Sequence, residues 1–185
     1  MMNKKIILFI SGALVLTLLG LFYIPSSVVA QTTCGSNLTD TRDGKVYTTV
    51  LIGTQCWMAK NMNVGTHVAD STAQTDNSII EKYCYGNSTA NCDTDGGLYQ
   101  WREATQYDAT IAGAQGICPT GWHIPTDAEL YTLENYLKDS GQACSALRGG
   151  WGCATAGTKL KLGGTSGFNA VLAGFRGELD TANGP

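Results

Sequence analysis

Charge is scarce in this 185-residue chain: Asp, Glu, Lys and Arg make up 15% of it, and the net charge is −3. No basic stretch follows the N-terminus, so the electrostatic footprint of a nucleic-acid partner is missing. Histidine occurs twice, at His67 and His123, far apart in sequence. None of the seven cysteines forms a C-x-x-C pair. Zinc sites use such short spacings, so neither a metal nor another cofactor is expected. Proline is held to four residues while glycine reaches 23, a composition of many tight turns. A hydrophobic content of 43% nevertheless excludes a disordered chain.

Acidic residues are absent before position 31, and there the sequence reads as an export signal. Lys4 and Lys5 form a positive start, residues 6–24 are an uncharged apolar run, and Val28 and Ala30 occupy the small-residue cleavage positions. The 19-residue run is also long enough to span a bilayer, so an uncleaved anchor is the competing reading, and the membrane enters only through it. Cys34, which follows Gln-Thr-Thr, lacks the context of a lipidation site. Cleavage after Ala30 would leave residues 31–185 as one domain with a net charge of −5.

An exported chain meets an oxidising compartment, where disulfides are the default state of cysteine. Cys84 and Cys92 bracket a short turn-rich loop, as do Cys144 and Cys153, and each pair is expected to close. A bridge of the first kind is worth roughly 2–3 kcal/mol on the chain-entropy account. The partners of Cys34, Cys56 and Cys118 stay open, and the odd count leaves at least one thiol without a partner in this chain.

Residues 38–61 read as a β-meander. Asp43-Gly44 predicts a type I′ turn and Gly53-Thr54 a type II′ turn. Residues 46–51 alternate with the period of a strand, and the next strand carries Cys56 and Trp57 on opposite faces. Residues 61–80 read as a long polar loop. Asp93 and Asp95 begin like a calcium loop but lack its remaining ligand positions, which makes a solvated turn the expectation. Leu98, Trp101 and Ala104 or Thr105 fall at helical spacing, predicting a helix over 98–107 with Trp101 in the core and Glu103 in solvent. Thr126 and Glu129 form a T-x-x-E capping box ahead of the stripe Leu130, Leu133, Leu137. Residues 122–124 form an extended lead-in with Trp122 and Ile124 opposite His123. Residues 168–175 have strand-like apolar content. Periodicity thus gives α+β.

Three phrases carry a resemblance: "IGTQCWMAKN" at 52–61, "GGLYQW" at 96–101 and "CPTGWHIPTDAEL" at 118–130, with a looser match at 167–176. In this order they resemble the Fibrobacter succinogenes major paralogous domain, a family of exported bacterial modules. The resemblance implies a C-type-lectin-like relative with two short helices and antiparallel strands. The W-x-x-A of Trp101 and Ala104 would mark its first helix, and residues 126–139 its second. Trp57, Trp101, Trp122, Thr126 and Glu129 would then be anchors of the fold. The family pattern continues past "GFR" into Trp- and Ser-rich strands ending in a cysteine. The resemblance therefore implies a domain that is incomplete at its C-terminus.

Cys118 and His123 precede the capped helix and could make a thiolate nucleophile with its base. Five residues of extended chain need not bring them together, and no third orienting group is evident. The expectation is structural: Cys118 staples, Trp122 anchors, and His123 is an ordinary polar residue. The function expected is therefore a noncatalytic module, secreted or at the cell surface, for adhesion or recognition. Its partner would be an extracellular ligand such as a glycan or a surface protein. A structural envelope component and an oxidoreductase akin to the formylglycine-generating relatives of the fold are the alternative classes.

Overall fold

The computed structural model describes residues 33–108, 113–145 and 153–174. The export signal at 1–30 and the end of the looser family phrase lie outside them. Within the described residues the fold mixes a small antiparallel sheet with short helices.

The meander forms as expected: β1 (Asn37–Thr39), β2 (Val46–Ile52) and β3 (Gln55–Met58) pair antiparallel in the order β1-β2-β3. At the β2–β3 turn Ile52 faces Gln55, and Gly53 alone takes a positive φ (61°), as a II′ turn requires. The β1–β2 connection corrects the I′ expectation. Gly44 has positive φ but Asp43 does not, and the loop is wider, closed by Gly44 N–H donating to Asp40 O. The reason is Asp40, whose carboxylate is buried and accepts from the Arg42 backbone N–H and guanidinium. Side-chain bonds of this type shape a turn as firmly as backbone ones.

β2 changes its buried face halfway. Tyr47 and Thr49 are buried in its first half, while in its second half Ile52 is buried and Val50 partly so, with Leu51 exposed. Two different interiors lie on either side. The apolar one gathers Ile52, Leu133, Leu137 and Ala156, with Val50, Trp57, Leu160 and Phe168 against them. The Trp57 and Phe168 rings sit 5.8 Å apart. Helix α3 (Asp127–Leu137) supplies Leu133 and Leu137, and α4 (Ala154–Leu160) supplies Ala156. The sequence expectation did not include α4, and the strand expected at 168–175 is only a bridge between Lys161 and Ala170. Phe175 lies outside the described residues.

The other interior is polar. The stretch 61–80, expected as loop, holds β4 (Thr66–His67), which pairs in parallel with β5 (Glu81–Lys82). Buried around that pair are Asn63, Gln74, Glu81, Lys82, Glu103 and Thr105. Gln74 binds the loops together. Its backbone N–H donates to Tyr83 Oη, its Nε2 donates to Glu81 O, and its Oε1 accepts from Gln100 N–H. The expected turn after Cys84 contains a helix, α1 (Thr89–Asp95), ended by Gly96 at φ 90°.

The helix expected over 98–107 is a single turn, α2 (Trp101–Ala104), and its phase corrects the sequence reading. Trp101 is 57% exposed while Glu103 is fully buried. Leu98 instead bridges to Tyr83, and Glu103 Oε1 accepts from the Glu81 N–H (3.0 Å) and Gln106 Nε2 (3.2 Å). A one-turn helix has too little apolar surface to fix its own rotation. The hydrogen bond to β5 fixes it.

Candidate functional site

Three disulfides staple the described chain: Cys34–Cys56, Cys84–Cys92 and Cys144–Cys153. The first joins the start of the meander to β3, a pairing that the sequence left open. Cys118 has no partner, which corrects its expected role as a staple. Its thiol is buried, and burial pushes its pKa up to about 11 against a weaker opposing pull from Arg42. A nucleophile must be a thiolate, so this environment works against one.

His123 points elsewhere. Its Nε2 lies 2.9 and 3.0 Å from the two carboxylate oxygens of Glu129, and no hydrogen bond joins it to Cys118 among the described residues. Glu129 is the N3 residue of α3. Its Oε2 accepts from the Thr126 N–H (2.8 Å) and Thr126 Oγ1 (2.9 Å), while Thr126 Oγ1 accepts from the Glu129 N–H (3.2 Å). The Thr126 N–H, above all, holds the Glu129 carboxyl below its ordinary pKa, with further help from the Thr126 hydroxyl and His123. An orienting group for His123 therefore exists, contrary to the sequence reading, but it belongs to a helix cap. Trp122 beside it is half-buried.

Asp93 and Asp95 end a helix rather than a turn. Asp93 accepts from Asn63 Nδ2 (3.2 Å), and the Asp95 carbonyl accepts from Asn61 Nδ2 (2.8 Å). No cluster of His, Cys, Asp or Glu suited to a metal occurs among the described residues.

A cleft of about 370 Å³ opens where the β1–β2 loop faces residues 64–66 and 79–80. Arg42, Asp43 and Lys45 of the loop line it, together with Val64, Gly65, Thr66, Ile79 and Ile80. The loop residues are held by their own contacts. Arg42 Nη2 reaches Asp40 Oδ2 (2.6 Å) and the Ile117 carbonyl (2.8 Å), and Lys45 Nζ reaches Asp43 Oδ2 (2.9 Å). Asp40 is held below its ordinary pKa chiefly by the Arg42 hydrogen bond. At Gly65 (φ 96°) the backbone passes so close to the Ile80 carbonyl that any Cβ would collide with it. In sequence, residues 42–45 read only as a turn and 61–80 only as a loop. The cleft is made by the β4–β5 pairing, which no periodic signal announces.

No helix among the described residues is long and apolar enough to cross a membrane. Three disulfides fit an oxidising, extracellular environment. Comparison with curated proteins gives no match, and neither does comparison with solved structures. One family model, described as the Fibrobacter succinogenes major domain, matches residues 50–183.

Proposed function

The chain belongs to the Fibrobacter succinogenes major domain family, and we propose that it is a noncatalytic recognition or adhesion module, secreted or held at the cell surface. We take its architecture, a small antiparallel sheet with short helices, to be C-type-lectin-like. The observation that carries the functional reading is the Arg42–Lys45 cleft. Charged side chains of the loop and the aliphatic residues Val64, Ile79 and Ile80 line the same cleft. That combination suits a ligand with hydroxyls on one side and C–H groups on the other, such as a glycan. Neither a cysteine nor a histidine lines it. The buried thiol of Cys118 and the capping duty of Glu129 also favour a structural role for the 118–129 stretch.

Binding of the exported chain to a glycan array tests this. The expected result is saturable binding to a limited set of glycans, weakened at least tenfold by Lys45→Ala. Turnover of a thiol-containing peptide in the presence of copper, without glycan binding, would favour the oxidoreductase alternative instead.

A further inference from the structure

Lys82 is a buried ammonium whose hydrogen-bond partners are both neutral. It is 6% exposed and makes no ion pair among the described residues. Its Nζ contacts are the side-chain Oδ1 of Asn63 at 2.6 Å and the backbone carbonyl of the same residue at 2.7 Å. Asn63 is itself 4% exposed. Its backbone N–H donates to Tyr47 Oη (3.1 Å), and its Nδ2 donates to Asp93 Oδ1 (3.2 Å). An amine, a carboxamide and a carboxylate are thus lined up, with the carboxylate on the amide nitrogen. Three separate features assemble them. The β4–β5 pairing sets Lys82 opposite His67, four residues after Asn63. Tyr47 on β2 grips the Asn63 backbone. The Cys84–Cys92 bridge ties α1, and so Asp93, beside β5.

We propose that Lys82 and Asn63 become joined by an intramolecular isopeptide bond, with Asp93 carrying the proton to the departing nitrogen. Nζ attacks Cγ of Asn63, the Nζ–Cγ bond forms and the Cγ–Nδ2 bond breaks. Nδ2 leaves as ammonia, taking the proton that Nζ gives up by way of the Asp93 carboxylate. Overall, one ammonium and one carboxamide become one secondary amide and one ammonium ion, and no oxidant or other reactant is needed. Geometry permits the attack: with Nζ 2.6 Å from Oδ1 and a C=O bond of about 1.2 Å, Nζ lies no farther than about 3.8 Å from Cγ. Holding reactants this close supplies much of the barrier reduction that a bimolecular aminolysis lacks. Burial lowers the Lys82 pKa, and Lys45 adds to that, against the nearby carboxylates Asp43 and Asp93. The neutral amine that must attack is therefore more accessible than in water. The product also removes a buried charge whose hydrogen-bond partners are neutral, which drives the step forward.

Peptide mapping of the full chain, reduced, denatured and digested with trypsin, tests the bond. The expected product is a single peptide of residues 61–102, closed into a loop between Asn63 and Lys82, uncleaved after Lys82 and lighter by one ammonia (about 17 Da) than the linear sequence. Asn63→Ala should abolish it. Asp93→Ala changes an exposed helix residue, and the linked fraction should fall at least tenfold while the three disulfides still form. Linear peptides 61–82 and 83–102 from the unaltered chain, the first at its full mass and with Lys82 open to trypsin, would overturn the proposal. Undiminished linkage in Asp93→Ala would overturn the assigned path of the proton.

Discussion

The carboxylate of Glu129 holds His123 and the start of α3 at once, with the His123 ring nitrogen 2.9 Å from one oxygen and the Thr126 N–H 2.8 Å from the other. The histidine of the "GWHIPT" phrase therefore completes a helix cap. Thr126→Ala should cost about 1 kcal/mol in urea unfolding. His123→Ala should cost less, because its pair with Glu129 is largely exposed.

The cap also titrates. The Glu129 pKa is lower in the folded chain than in the unfolded one. Its contribution is thus complete above the ordinary glutamate range and disappears as pH falls through the folded value. Thermal unfolding followed from about pH 6 down to about pH 3 should show Glu129→Gln losing less stability than the parent over that interval. Asp40, lowered by Arg42, acts in the same direction.

Glu103 and Trp101 should reverse the order their residue types suggest. Glu103 is fully buried, and Glu103→Ala leaves the Glu81 N–H without its acceptor. The expected cost is about 2–3 kcal/mol. Trp101 is 57% exposed, and Trp101→Ala should cost about 1 kcal/mol or less. Paired denaturation curves check the order. Equal losses, or a larger one at Trp101, would mean that α2 is turned the other way.

That reversal shows where the sequence stops being legible. The β2–β3 hairpin, its Gly53 turn and the capped helix are written in local signals of two to four residues, and each stands where those signals put it. The family phrases were readable for the same reason. The polar interior was not readable. Asn63, Gln74, Lys82 and Glu103 look like surface residues in sequence. They are buried because a two-residue parallel pairing, with no turn or periodicity to mark it, draws residues 66–67 against 81–82. The Arg42–Lys45 cleft depends on the same pairing, so it was hidden with it. Cys34–Cys56 was hidden because strand register, not loop length, brings those two positions together.

The Cys34–Cys56 bridge spans 22 residues and ties the segment just before β1 to β3. Replacing both by serine should lower stability by about 3 kcal/mol on the chain-entropy account. Nonreducing peptide mapping should recover this pair together with Cys84–Cys92 and Cys144–Cys153. A linkage of Cys56 to Cys118 would contradict the arrangement.

We propose that the Cys118–Glu129 stretch is a frame of the fold, and the reactivity of the Cys118 thiol separates that role from a catalytic pair. Cys118 is buried, raised to about 11, and has no hydrogen bond to His123. A thiol reagent applied to the native, nonreduced chain at neutral pH should label it at least a hundredfold more slowly than the unfolded chain. One equivalent should react on unfolding, and His123→Ala should leave the native rate unchanged. Rapid labelling of the native chain at a rate that falls with His123→Ala would contradict the account and restore a catalytic pair.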